Sequence, residues 1–253
     1  QGINTVIIDE VHMAKADVLK RLLTGPFAHC GIRWGLTGTV PKADYEFMGL
    51  KCSIGEVSNR IQASELQDKG VLANCHVNVL QTQDHPQFKT YGEELKWLTT
   101  DSNRMTWVAK TIQDIATSGN TLILVDRISA GEILEKKIKD AVFVSGSTKN
   151  TDRKEQYDEI STATNKVIIA TYGVAAVGIN IPRIFNLVLI EPGKSFVRVI
   201  QSIGRGIRKA EDKDSVQIWD ITSSCKFAKR HLGARKKFYK EANYPYNIEK
   251  IDY

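Results

Sequence analysis

The sequence has no long hydrophobic run and only four cysteines, and each absence excludes a class of protein. Apolar runs such as Leu187–Ile190 are far shorter than the ~20 residues of a membrane-spanning helix. No charged-then-apolar signal sequence opens the chain, so secretion is not expected. The cysteines form no CxxC pair, which disfavours a zinc ribbon, a thioredoxin-type site and a disulfide scaffold. We therefore expect an intracellular protein without a membrane partner.

A phosphate-binding P-loop is also missing from these residues. Its signature is GxxxxGK[ST], and the only GK[ST] in the chain is Gly193-Lys194-Ser195. Val188 stands five residues before Gly193, where the signature requires glycine. The sequence given therefore contains no Walker A motif.

The composition is that of a globular chain with a basic surface. Apolar residues make up 42% of the 253 residues and charged residues 25%, which is enough to bury a sizeable core. At ~150 residues per domain, this length fits one large or two small domains. Lys and Arg number 35 against 29 Asp and Glu, giving a net charge of +6. This excess favours a polyanionic partner.

The order of apolar runs predicts an α/β fold with parallel sheets. The run Gly2–Ile8 is typical of a strand buried on both faces, and such a strand needs neighbours. We interpret residues 1–80 as the C-terminal half of an α/β domain whose first half is missing. The polar stretch 81–103 is predicted to be a linker. From 104 to 253, strand patterns alternate with helix patterns, which predicts a second, complete α/β domain. Its predicted strands include Thr121–Val125 and Asn186–Ile190.

Two short segments of the first domain contain residues suited to chemistry. Asp9-Glu10 follows the first strand, at the end where open α/β sheets bind ligands. One carboxylate there can hold Mg²⁺ through water, while the other orients or deprotonates an attacking water. The alternative is a strand that simply ends in solvent. Thr37-Gly38-Thr39 follows the next strand and is a hydroxyl-rich turn.

Two segments of the second domain are suited to phosphate contact. In Gln201–Arg208, Arg205 and Arg208 lie three residues apart, so a helix would bring both guanidinium groups to one face. Guanidinium groups match phosphate oxygens, although a solvated basic helix end would look similar. Thr171 ends a strand and precedes small residues, which suits backbone contacts to phosphate or a helix packed closely on the sheet.

Together, these segments resemble motifs of superfamily 2 helicases and translocases. Asp9-Glu10-Val11-His12 is similar to motif II, Thr37–Thr39 to motif III, Thr171–Pro182 to motif V and Gln201–Arg208 to motif VI. The regions around Arg127 and Gly146 are similar to motif IV. Gly178–Pro182 resembles the GVDVP of RecG helicases, with Asn180 where those proteins have Asp. The whole chain most resembles the branched-DNA helicases of T4-type phages.

The resemblance implies RecA-like motor domains that bind ATP and Mg²⁺ in the cleft between them. It implies that Asp9 serves Mg²⁺, that Glu10 activates water, and that Gln201, Arg205 and Arg208 act on the phosphates. It further implies nucleotide contacts from His12, Gly178 and Asn180, coupling through Thr37, Gly38 and Thr39, and DNA-backbone contacts from Arg127, Gly146 and Thr171.

The implied substrate is branched or forked DNA, including R-loops. The implied protein is a monomeric motor in the cytoplasm of an infected bacterium, with phage recombination proteins as partners. Two other activities stay open on the residues alone. One is an RNA helicase or restriction-type translocase with the same motor, and the other is a nucleic-acid-binding fragment without catalysis.

The C-terminal segment is strongly basic. Seven cations and no acidic residue occur in residues 226–240. We predict a DNA-facing or subunit-facing surface that includes Arg235, Lys236 and Lys237, with a solvated helix face as the alternative.

Overall fold

The computed structural model describes residues 2–9, 11–13, 16–37, 44–61, 65, 74–146, 164–176, 184–193 and 215–253. At 13, 16, 44–46 and 176 it describes the backbone only. The chain divides into two compact units, residues 1–61 and 62–253.

The first unit contains two parallel strands and their helices. Strand β1 (Thr5–Ile8) pairs with β2 (Ile32–Gly35), and a short 3-10 helix (Val11–Met13), helix α1 (Ala16–Thr24) and helix α2 (Asp44–Ser53) complete the described elements. Val11, Leu19 and Leu23 are buried, and Val6 and Ile8 pack against them. The predicted strands that precede Asp9 and Thr37 are therefore present.

The opposite face of this small sheet is apolar and exposed. Ile7, Ile32 and Trp34 are 59%, 49% and 61% exposed, because alternate residues of a strand point to opposite faces. Parallel sheets are ordinarily covered on both faces.

The second unit is built on seven parallel strands, with order β5-β6-β4-β7-β8-β3-β9. Its strands are β3 (Asn74–Thr82), β4 (Thr121–Val125), β5 (Val142–Val144), β6 (Val167–Thr171), β7 (Asn186–Ile190), β8 (Ser215–Ser223) and β9 (Tyr246–Ile251). Its described helices are α3 (Tyr91–Thr100), α4 (Ser102–Ala116), α5 (Ile128–Lys137), α6 (Tyr172–Ala176) and α7 (Lys226–Glu241). The predicted α/β class with parallel sheets is confirmed.

Both faces of this sheet are covered, which explains its apolar runs. Leu122 and Leu124 of β4 join one hydrophobic cluster, which includes Leu232 and Tyr239 of α7. Ile123 and Val125 join the other, with Met105 and Ile112 of α4. Every residue of β4 and β7 is buried, as expected for central parallel strands.

The structure corrects the predicted boundaries at 80 and at 81–103. Strand β3 belongs to the second unit, where it pairs with β8 and β9. Helix α3 lies inside the predicted linker and begins with a capping box formed by Thr90 and Glu93. Its sequence is polar because only part of the helix faces the core, through Leu95 and Leu98, so its composition resembles that of a linker. None of the described helices is long and apolar enough to cross a membrane.

Candidate nucleotide and nucleic-acid site

The segments that follow β1 and β2 are held together by three hydrogen bonds. Leu36 N donates to Ile8 O at 2.8 Å, and Val11 N donates to Leu36 O at 3.0 Å. His12 Nδ1 and Thr37 Oγ1 share a hydrogen bond at 2.6 Å. Two predicted site residues, separated by 25 positions, are therefore in direct contact. Glu10, Gly38 and Thr39 lie outside the described residues.

Asp9 is exposed directly after β1, as the prediction requires. Within the described ranges, no three His, Cys, Asp or Glu side chains converge on a metal position. Mg²⁺ differs from metals that need such a cage, because it keeps several waters and takes only one or two protein carboxylates besides substrate phosphates. The exposed Asp9 carboxylate fits that donor set.

Three other predicted residues lie at one edge of the second sheet. Arg127 follows β4, Gly146 follows β5 and Thr171 ends β6, and these strands are neighbours. Arg127 Nη2 donates to Gly92 O at 3.3 Å, and Thr171 Oγ1 accepts from Val174 N at 3.4 Å. Among the described residues, none lies within 4 Å of the place where a side chain at Gly146 would begin.

A buried ionic network occupies the same edge at β7, β8 and β3. Arg104 at the start of α4 is fully buried, and its Nη2 donates to Glu191 Oε1 at 2.6 Å and to Thr82 Oγ1 at 3.2 Å. Arg104 Nε lies 3.6 Å from Asp84 Oδ2. Thr222 Oγ1 donates to the other oxygen of Glu191 at 3.3 Å. One guanidinium thus joins the ends of three strands.

The two carboxylates of this network have opposite pKa shifts. Burial raises the pKa of Glu191 to about 7, against the attraction of Arg104 and Arg235. Burial also acts to raise the pKa of Asp84, but hydrogen bonds and the charge of Arg104 outweigh it and lower that pKa. The donors to Asp84 are the hydroxyls of Ser223, Thr82 and Tyr253, at 2.5, 2.6 and 2.6 Å.

Arg235 is the second buried arginine of this edge, which corrects its predicted place on a DNA-facing surface. Its Nε and Nη2 donate to the two oxygens of Asp220 at 2.8 and 2.9 Å, and its Nη1 donates to Pro192 O. Tyr239 OH also donates to Asp220, at 2.7 Å. Of the residues grouped with Arg235, Lys236 is half-buried and Lys237 is exposed.

Arg104 and Arg235 together hold two successive residues, Glu191 and Pro192. We call these two side chains the arginine clamp. The clamp fixes the chain where it leaves β7. Gln201 lies nine residues after Pro192 in the sequence. Five more predicted site residues, besides Glu10, Gly38 and Thr39, lie outside the described ranges: Gly178, Asn180, Gln201, Arg205 and Arg208.

The sequence analysis did not predict the inward positions of Arg104, Arg235 and Asp220, although weak signals for them are present. Arg104 continues the apolar positions of α4 four residues before Val108, so its side chain falls on the buried face. Asp220 lies on the same buried face of β8 as Val216 and Ile218, because alternate residues of a strand share a face. A charge on a buried face needs a partner, and the sequence alone does not identify that partner.

Residues 103–210 match the protein family described as the helicase conserved C-terminal domain. The match covers less than half of the chain. It begins in α4 and includes β4, β5, β6 and β7, with Arg127, Gly146 and Thr171 at their ends. It also contains Arg104 and Glu191 of the buried network.

The similarity to known proteins extends beyond residues 103–210. The chain is 27% identical over 241 residues to the ATP-dependent DNA helicase UvsW of Enterobacteria phage T4, covering 91% of this chain and 48% of UvsW. A helicase of a Sulfolobus islandicus filamentous virus is also 27% identical, over 85% of this chain and 42% of its own length. The chain thus spans about half the length of these relatives.

Solved structures of helicases share the fold. The crystal structure of T4 UvsW matches 98% of this chain and 54% of its own with a TM-score of 0.61 and 22% identity. A fragment assigned to the HsdR subunit of a type I restriction enzyme from Vibrio vulnificus matches 99% and 48% with a TM-score of 0.73 and 19% identity. The fold of this chain is therefore RecA-like.

Proposed function

We propose that this chain is part of an ATP-dependent DNA helicase or translocase that acts on branched DNA in recombination and repair. The observation that carries the proposal is the similarity to UvsW, a protein named as an ATP-dependent DNA helicase, along 91% of the chain. The proposed reactions are fork regression, Holliday-junction branch migration and the unwinding of D-loops and R-loops. The proposed setting is the cytoplasm of an infected bacterium, with phage recombination proteins as partners.

In this proposal, residues of both units serve ATP hydrolysis. Asp9 holds Mg²⁺, which when bound supplies charge neutralisation to the β- and γ-phosphate oxygens. Glu10 orients and deprotonates the attacking water, with His12 beside the nucleotide. Arg205 and Arg208 stabilise negative charge on the transferred phosphoryl group, and Gln201 contacts the γ-phosphate side. Gly178 and Asn180 contact the rest of the nucleotide.

The contact between His12 and Thr37 supports a role in coupling. Helicases must convert the state of the nucleotide into domain movement, and this requires a connection between the phosphate-sensing residues and the rest of the motor. The 2.6 Å hydrogen bond joins the segment containing Asp9 and Glu10 to the one containing Thr37, Gly38 and Thr39. A change at the nucleotide would reach the second segment through this bond.

The edge formed by Arg127, Gly146 and Thr171 supports a role in binding the nucleic-acid backbone. A guanidinium, a glycine backbone and a hydroxyl are groups that contact phosphate and sugar. Such contacts position a strand without identifying its sequence, so they do not separate DNA from RNA. The restriction-enzyme fold match keeps a translocase that moves on DNA without unwinding it as the second candidate.

The deciding experiment compares substrates on the intact protein that contains this chain. ATP turnover and strand separation are measured on forked DNA, on linear duplex DNA and on an RNA duplex of the same sequence. We expect turnover stimulated most by forked DNA, together with strand separation. Stimulation by linear duplex with no strand separation would favour the translocase, and preference for RNA would contradict the proposed substrate. The Glu10→Gln variant is the control for contaminating ATPase.

A further inference from the structure

Helix α7 sorts its seven cations between two faces. Arg235 points inward to Asp220 and Lys236 is half-buried, whereas the other five are exposed. At 3.6 residues per turn, these five fall within about 100° of the helix circumference. They form what we call the cationic stripe: Lys226, Lys229, Arg230, Lys237 and Lys240.

The stripe is long and has a glycine at its centre. From Lys226 to Lys240 it runs about 21 Å, at about 1.5 Å per residue. Gly233 lies between the two groups of cations and is exposed, and no described residue lies within 4 Å of the place where its side chain would begin. The small exposed Ala234 follows it. A rod-like polyanion can therefore approach the helix along its whole length.

One exposed acid, Glu241, lies beside the stripe at the end of α7, four residues after Lys237. Among the residues that the structure describes, no carboxylate lies within 4.0 Å of any stripe cation, and the ion pair of α7 is the inward one between Arg235 and Asp220. Lys226 and Arg230 lie 5.5 and 5.6 Å from the centre of the same Phe227 ring. These cation–π contacts order two of the charges without cancelling them.

The first turn of α7 carries a cation where a helix disfavours one. The N-terminus of a helix carries partial positive charge and favours acids, yet the first turn of α7 holds Lys226 and no acid, and Lys229 and Arg230 follow it. Glu94 from α3 accepts from Phe227 N and Ala228 N at 3.1 and 2.7 Å, but it is buried and presents no charge to solvent. A sequence that breaks such a local rule on an exposed face is typical of a binding surface.

We propose that the cationic stripe binds the phosphate backbone of a duplex DNA arm, separately from the strand-end contacts of Arg127, Gly146 and Thr171. This inference rests on the proposed function, because it assumes a DNA substrate. A rigid row of cations about 21 Å long matches the regular charge of a duplex over about six base pairs, at ~3.4 Å per phosphate on one strand. The stripe would thus hold one arm of a branched substrate while the motor acts on another.

The test compares two triple variants of the intact protein with the same change in charge. Lys229→Gln, Arg230→Gln and Lys237→Gln remove part of the stripe. Lys110→Gln, Lys136→Gln and Lys139→Gln remove three exposed cations of α4, α5 and the turn after α5. Affinity for forked DNA and for a single strand of equal length is measured over a range of salt concentrations. Unfolding midpoints confirm that both variants fold.

We expect the stripe variant to lower the salt slope on forked DNA by up to about 3, since each phosphate contact contributes about 0.9. The control variant should leave the slope near that of the unaltered protein. An unchanged slope in the stripe variant, or an equal decrease in both variants, would overturn the inference. So would a decrease confined to the single strand. DNA-stimulated ATP turnover by the unaltered protein is measured in parallel, so failure of the proposed function would be seen separately.

Discussion

Arg104 and Glu191 form a buried ion pair with 2.6 Å between Nη2 and Oε1, and the backbone of Glu191 adopts the left-handed conformation with φ 45°. A non-glycine residue in this region is held there by its surroundings. Buried ion pairs contribute little net stability, yet removing one partner is strongly destabilising. The pair is therefore best understood as fixing the direction in which the chain leaves β7, towards Gln201–Arg208.

We predict that Glu191 makes stability depend on pH near neutrality. Its pKa is about 7 in the folded protein and near its ordinary value of 4.5 when unfolded, so between these pH values only the folded state holds the proton. Stability should therefore fall as pH rises from 4.5 to 7, by up to about 3 kcal/mol. Glu191→Gln should lack this component. Urea midpoints of both proteins from about pH 5 to 8 measure the difference.

Asp84 should not interfere with this measurement. Its pKa is lowered from 3.8, so its contribution is present above that value and is lost only as pH falls below it. Parallel pH curves for the two proteins would mean that Glu191 stays ionised beside Arg104.

A second prediction separates Arg235 from its exposed neighbour Lys237. Arg235→Ala leaves the Asp220 carboxylate buried without its main partner, which should cost about 3–5 kcal/mol of unfolding free energy. Lys237→Ala should change stability by no more than about 0.5 kcal/mol, because its side chain is exposed. Urea unfolding of both variants provides the measurement.

The double variant Arg235→Met with Asp220→Leu tests the reason for this cost. Replacing both charges by apolar side chains should recover most of the lost stability, because no unpaired charge remains buried. If Arg235→Ala and Lys237→Ala destabilise equally little, then Arg235 lies at the surface, as its sequence context suggests.

The sequence was informative about the sheet and much less so about the clamp. Continuous apolar runs such as Thr121–Val125 and Asn186–Ile190 predicted their strands with the observed bounds, since both faces of those strands are buried. Strand β3 was missed because it joins the sheet through partners far away in the chain, β8 and β9. Local pattern cannot show such pairing.

The same limit explains the error at Arg235. A run of seven cations has the composition of a surface, and only the helical position of residue 235, opposite the stripe, indicates an inward side chain. Its partner Asp220 lies 15 residues earlier, on β8. By contrast, Thr37 and His12 were predicted from motif order, and their contact follows because β1 and β2 are neighbouring parallel strands.

A third prediction concerns coupling through that contact. Thr37→Val keeps the shape of the side chain and removes the hydroxyl that bonds His12. In the intact protein, we expect ATP turnover to persist while strand separation per ATP falls several-fold. Thr24→Val is a matched control, because the Thr24 hydroxyl bonds only within its own helix, to Lys20 O. Equal loss of turnover and strand separation would instead indicate that Thr37 serves catalysis.

The last prediction concerns the proposed catalytic residues, one from each unit. Glu10→Gln keeps size and hydrogen bonding but removes the base, so the intact protein should still bind ATP and DNA while turnover falls about 10²–10⁴-fold. Arg205→Ala should lower turnover by about 10³-fold or more, because it removes charge that stabilises the transferred phosphoryl group.

The two variants should differ in domain closure. If Arg205 reaches the nucleotide from the second unit, its loss also weakens closure around ATP, whereas Glu10→Gln holds the closed state. Fluorophores placed on the two motor domains, with ATP and DNA present, report the distance between them. If Arg205→Ala closes as fully as Glu10→Gln and hydrolyses ATP normally, Gln201–Arg208 is a basic segment outside the ATP site.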